Sequence, residues 1–142
     1  MVAFFLFKMS CLFQSLSSFV SHQDFVKLRQ DICDFLQTNP KLVGGEIDLK
    51  TITELDDTTI ENYVGHMRSN STWGGAIEIR AFCEMYDVNV VVKNIRNAAQ
   101  NEEETYIEFL CSNNKNRWVV ISWNGGHFEP ILFHNGDITN IK

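Results

Sequence analysis

Phe25, Leu28, Ile32, Phe35 and Leu36 recur at helical spacing among lysine, arginine, aspartate and glutamine positions, and this stripe predicts a helix over about 23–38. Asn39-Pro40 ends it, because a residue before proline is pushed out of the α region. A shorter helix is expected over 11–20, with Leu12, Phe13, Leu16, Phe19 and Val20 on its apolar side. A third runs from about Asp57 and Thr58 to Arg68, carrying Ile60, Tyr63, Val64 and Met67. The helix expected at 76–86 is apolar nearly all round except at Glu78, Arg80 and Glu84, which predicts a central position. Between the second and third helices, residues 41–56 read as a connecting segment: Gly44-Gly45, then Ile47, Leu49 and Ile52 among polar neighbours. After residue 87 the period changes. Residues 88–95, 106–111, 118–123 and 128–133 read as strands, separated by a polar, acidic hairpin loop at 97–104 and a turn at 113–116. Helices first and a strand meander afterwards predict an α+β fold, with helices packed on a small, mainly antiparallel sheet.

The chain has 142 residues, enough for one domain with a sizeable core. We expect a single unit over 1–142, with an atypical segment at 1–10, a core at 11–133 and a tail at 134–142. A net charge of −6 argues against nucleic acid as a partner, since no basic stripe is available to displace phosphate counterions. Residues 1–7 are almost wholly apolar, but Lys8 interrupts them and no basic region precedes them. That predicts a buried N-terminal strand rather than a targeting peptide, and a membrane span needs about 20 apolar residues. Four cysteines (Cys11, Cys33, Cys83, Cys111) lie far apart with no CxxC pair, which speaks against a zinc cluster or a disulfide framework. A reducing, intracellular and cytoplasmic setting is expected, with no membrane partner and a monomeric chain.

Two local settings suggest chemistry. Cys11 opens Cys-Leu-Phe-Gln-Ser-Leu (11–16) at a helix start, where free N–H groups and the helix dipole favour a thiolate. His127 follows a Trp-Asn-Gly-Gly turn (123–126) that presents an imidazole at the rim of a sheet. Glu129 lies two residues on, on the same strand face, because strand side chains alternate. It is expected to accept from His127 Nδ1–H, leaving Nε2 free for the thiol proton. Cys33, Cys83 and Cys111 read as core thiols, and His22, His66 and His134 lack such a setting. Trp73-Gly74-Gly75 reads as a packing device, with glycine for close approach and tryptophan for buried area. Trp123 either walls a channel for a peptide tail or fills the core.

Several of these runs, in order, resemble the ovarian-tumour (OTU) family of cysteine proteases: Cys11 to Leu16, Trp73-Gly74-Gly75-Ala76-Ile77-Glu78-Ile79, Val88-Asn89-Val90-Val91-Val92, and Gly126-His127-Phe128-Glu129-Pro130-Ile131. The resemblance implies a papain-like α+β fold and hydrolysis of the bond between the C-terminal glycine of ubiquitin and a lysine amine. Cys11 matches the nucleophile, His127 the general base and Glu129 the orienting position, where the family usually has Asp or Asn. Backbone N–H groups around Met9, Ser10 and Cys11 would stabilise the oxyanion. No cofactor or metal is implied, and ubiquitin, polyubiquitin chains and ubiquitinated proteins are the implied partners. The chain departs from the family at Lys8-Met9-Ser10, where Asp-Gly-Asn is usual. Two further readings follow: a catalytically weakened ubiquitin-binding module, and an interaction protein in which Cys11 is only core.

Overall fold

The computed structural model describes residues 9–21, 24–96, 105–113 and 116–132. The strand expected at 1–7, Lys8, His22, the loop at 97–104, part of the turn at 113–116, His134 and the tail lie outside the described residues.

The chain begins with α1 (Cys11–Ser17) and α2 (Phe25–Leu36). Helix α2 starts where the Asp24 carboxylate accepts from the Lys27 N–H at 2.7 Å, satisfying one of the free donors of the first turn. It buries Leu28, Ile32, Cys33 and Leu36. Asn39 turns the chain with φ +57°, and its side chain accepts from the Lys50 N–H at 2.8 Å. The segment expected to be a plain connection is structured. A small hairpin of β1 (Lys41–Val43) and β2 (Ile47–Asp48) leads into α3 (Leu49–Leu55). Asp48 caps α3, its carboxylate accepting from the Thr51 N–H at 2.9 Å, and Leu49 is fully buried. Next comes α4 (Ile60–Met67), capped by Thr59, and then α5 (Ala76–Tyr86), whose first turn is closed by Glu78 accepting from the Gly75 N–H at 2.7 Å.

The remaining strands, β3 (Asn89–Asn94), β4 (Thr105–Phe109), β5 (Trp118–Trp123) and β6 (Phe128–Ile131), form one sheet in the order β4-β3-β5-β6. It is not a meander. β4 pairs antiparallel with β3 on one side, while β5 pairs with β3 in parallel on the other, Val90 opposite Val119 and Val92 opposite Ile121. Burial explains the order. β3 and β5 have no exposed position and bury half of their length, as a parallel pair tends to, whereas β4 is exposed at every position but Phe109 and takes an edge. β6 forms the other edge, where Pro130 needs no ladder N–H.

α5 packs on β3 and β4 and against α2, which in turn carries α1, and α1 also meets β6. Phe13, Leu16, Leu28, Ile32, Phe82, Val90, Val119 and Ile121 fill the space between these layers. All four cysteines are free and buried. Among the described residues no helix is long and apolar enough to cross a membrane.

Candidate active site

The first helix and the last hairpin meet at the site. Ser10, at the N-cap of α1, has φ −104° and ψ 10°, and its carbonyl accepts the first helical bond from the Gln14 N–H at 2.9 Å. Met9, immediately before it, already has helical backbone. Cys11 follows, 1% exposed, and its Sγ accepts from the Phe128 N–H at 3.5 Å. Residues 117 positions apart are thereby joined.

Residues 124–127 connect β5 to β6, with Trp123 opposite Phe128 and Ser122 opposite Glu129 in the ladder. The Asn124 side-chain carbonyl accepts from the Gly126 N–H at 3.0 Å and the His127 N–H at 2.8 Å, and the Asn124 N–H donates to the His127 carbonyl. Such self-bonding is what makes asparagine a turn residue. Gly125 has φ +104°, which a side chain would resist, and a Cβ there would also press within 3.3 Å of Arg96 Cδ. The turn therefore delivers His127 beside the residue whose N–H bonds the sulfur.

His127 Nε2 lies 3.3 Å from Glu129 Oε1, with the two side chains 43% and 69% exposed. This corrects the expected tautomer: the ring offers Nε2, not Nδ1, to the carboxylate, so Nδ1 is the nitrogen left for a proton from elsewhere. A glutamate has a methylene more than aspartate, and from two residues further along the chain, in β6, it reaches the far nitrogen of the ring.

Beside these residues Trp73, Gly74, Trp123, Gly125, Gly126 and Phe128 line a groove of about 590 Å³. Trp73 is 40% exposed and faces the groove, so it is not the buried filler expected of it. The packing is done by Gly74: a Cβ there would lie 2.7 Å from Leu12 Cδ2 and 3.0 Å from Phe13 Cε2. Trp123 and Phe128, cross-strand partners with ring centroids 6.5 Å apart, form another wall of the groove.

Behind α1 lies a polar group that the sequence pattern did not single out. Arg29 is completely buried and donates to the carbonyl of Met67, to Ser10 Oγ and to the carbonyl of Met9. Burial lowers the pKa of its guanidinium, and nearby Cys33 and Glu78 oppose that. Glu78, also buried, accepts from the Tyr63 hydroxyl at 2.5 Å. Burial raises the Glu78 carboxyl above its ordinary value, while its bonds to Tyr63 and the Gly75 N–H pull the other way. The signal for Arg29 was present: it falls on the stripe of Leu28, Ile32, Cys33 and Leu36, where a solvated arginine has no place. Burial also pushes the thiols of Cys33 and Cys83 up, to about 11 and about 12.

Comparison with known proteins bears on this arrangement. No curated protein sequence matches significantly. Among solved structures, an OTU domain in complex with ubiquitin aligns with a TM-score of 0.65 at 24% identity, covering 85% of this chain and 62% of that one. The chain thus spans less than two thirds of that relative. An OTU deubiquitinase from Wolbachia pipientis wMel, bound to ubiquitin, is 28% identical over 87% of this chain and 90% of its own, with a TM-score of 0.56. The viral OTU domain protease of Taggert virus, 13% identical, shares the fold with a TM-score of 0.65, covering 94% of this chain and 80% of that one. The α+β architecture is therefore the papain-like one of OTU type. A family model for the OTU-like cysteine proteases matches residues 10–128, from the N-cap of the first helix to the strand that meets its sulfur, and the chain belongs to that family.

Proposed function

We propose that the chain is a deubiquitinase that hydrolyses the isopeptide bond after the C-terminal glycine of ubiquitin, with Cys11 as nucleophile. The observation that carries the reading is the bond between Cys11 Sγ and the Phe128 N–H, the residue directly after His127. His127 takes the thiol proton, its ring held by Glu129 through Nε2. The thiolate attacks the carbonyl of the terminal glycine, and backbone N–H groups of Met9, Ser10 and Cys11 stabilise the oxyanion. His127 then protonates the leaving lysine amine, and water, deprotonated by His127, cleaves the thioester. The groove supports a tail substrate. Cys11 is nearly inaccessible, and the groove beside it, walled by Trp73, Trp123 and Phe128, suits an extended chain such as a Gly-Gly terminus. The OTU deubiquitinase bound to ubiquitin, at 28% identity, supports the choice of partner. A cytoplasmic setting belongs to the same proposal and suits four free thiols.

A second reading is favoured by one observation. Met9 has helical backbone where the family usually has glycine, and Lys8-Met9-Ser10 replaces Asp-Gly-Asn, so the fold could bind ubiquitin with weak or no turnover.

Ubiquitin carrying an electrophile at its C-terminus separates the two. A covalent adduct at Cys11 by mass spectrometry, lost in Cys11→Ala and His127→Ala, is the expected result. Binding without an adduct selects the module, and substituting Asp-Gly-Asn for Lys8-Met9-Ser10 then tests whether that segment is responsible. Neither binding nor adduct from a folded chain overturns both readings.

A further inference from the structure

Arginine is an expensive residue to bury, since its charge leaves water and its five donors all need partners. Arg29 nevertheless sits wholly inside, and its Nε finds no partner among the described residues. The bonds it does make run to two places. Nη1 donates to the Met67 carbonyl at 2.9 Å, at the end of α4. Nη2 donates to Ser10 Oγ at 3.2 Å and to the Met9 carbonyl at 3.4 Å, on the backbone that enters α1. Its guanidinium carbon lies 4.2 Å from the centroid of the Phe13 ring, one turn along the same helix. One rigid fork thus fastens the residues just before Cys11 to the end of another helix.

The consequence follows from the peptide bond. In a trans, planar unit the C=O of residue 9 and the N–H of residue 10 point in opposite directions. A guanidinium that holds the Met9 carbonyl therefore also sets the direction of the Ser10 N–H, one of the donors assigned above to the oxyanion. We propose that Arg29 is a positioning residue for the reaction, fixing the Met9–Ser10 peptide so that its N–H keeps one orientation while charge develops on the substrate. The clamp matters more here because the approach to Cys11 lacks the family's glycine and aspartate. The proposal rests on the deubiquitinase reading.

Arg29→Lys, Arg29→Gln and Ser10→Ala in the full chain test it. Three quantities are read: kcat and KM on ubiquitin with a C-terminal fluorogenic amide, the iodoacetamide alkylation rate of Cys11, and amide exchange at residues 9–12 against that in α5. Alkylation is displacement at a saturated carbon, needs the thiolate and forms no oxyanion. In Arg29→Lys a single ammonium cannot serve both ends of the fork, so kcat should fall about tenfold or more with KM nearly unchanged. Alkylation should stay within about twofold, since it samples only the thiolate. Exchange should rise at 9–12 and not in α5. Arg29→Gln should show the larger loss. If that variant does not fold, Ser10→Ala, which removes a single acceptor, should show the same pattern more weakly.

Parallel loss of kcat and alkylation would mean general loosening and would overturn the proposal, as would unchanged exchange at 9–12. Failure of the unsubstituted chain to turn over ubiquitin would overturn the function proposed above. The clamp itself would then stand or fall on exchange alone.

Discussion

Glu129 touches His127 from a position 69% open to water, and that exposure limits what the contact is worth. A buried carboxylate behind a catalytic histidine can be worth about 10⁴ in rate, whereas a solvated one is partly replaced by water. Glu129→Ala is therefore expected to lower kcat on ubiquitin substrates by about tenfold, and raised ionic strength should shrink the difference between variant and parent. A loss as complete as that in His127→Ala would show that Glu129 does more than orient the ring. At this scale much could be read beforehand. Cys11, His127 and Glu129 stood out through neighbours in sequence: a helix start, a glycine turn, a strand spacing. Which ring nitrogen faces Glu129 could not be read, because it depends on how the 124–127 turn is bonded to the Asn124 side chain. Spacing alone does not mark Arg29, because charged residues in a helix usually face water.

Between elements, the loop before α5 fits tightly against α1. Gly74 permits it, and α1 carries Cys11 at its first position. Leu12 and Phe13, which a new methyl group would strike, are both buried, and Phe13 also touches the Arg29 guanidinium. Neither can yield freely. Gly74→Ala is expected to destabilise the chain by about 1–3 kcal/mol, the usual cost of overpacking. Urea denaturation measures it, and an unchanged midpoint would show that the core reshapes at no cost. Helix α3 shows where pattern reading stops. Leu49, Ile52 and Leu55 are its only apolar residues, too few for a stripe, and Gly44-Gly45 nearby suggests a loop. Its marker was the capping aspartate, Asp48, rather than its periodicity. The longer helices α2, α4 and α5 were legible because each has at least eight residues and a sustained apolar face.

For the molecule as a whole, the buried pair of Tyr63 and Glu78 links stability to pH. Burial raises the Glu78 carboxyl above its unfolded value, and a raised acid favours the folded state most when protonated. Its contribution is full below the ordinary value of 4.5 and is lost as pH rises through the folded-state value. Glu78→Gln keeps the shape and removes the titration. Across a series of urea titrations between about pH 5 and 8, the parent should lose stability relative to Glu78→Gln as pH rises. A constant difference would mean that Glu78 keeps one protonation state throughout. Strand order was the least legible feature at this scale. Four strand-like runs were visible, but placing β5 beside β3 rather than β4 depends on burial of whole faces, which no local spacing reports.

The bond between residues 11 and 128 also sets a timetable. A polypeptide is made from its amino end, so Cys11 emerges before His127 and the Phe128 N–H, which follow more than a hundred residues later. Until then the thiol has neither the imidazole nor the donor that will meet it. Closing so long a loop adds little entropic cost, which grows only with the logarithm of length. The delay costs the finished protein almost nothing, and a half-made chain on the ribosome carries the sulfur without its partners.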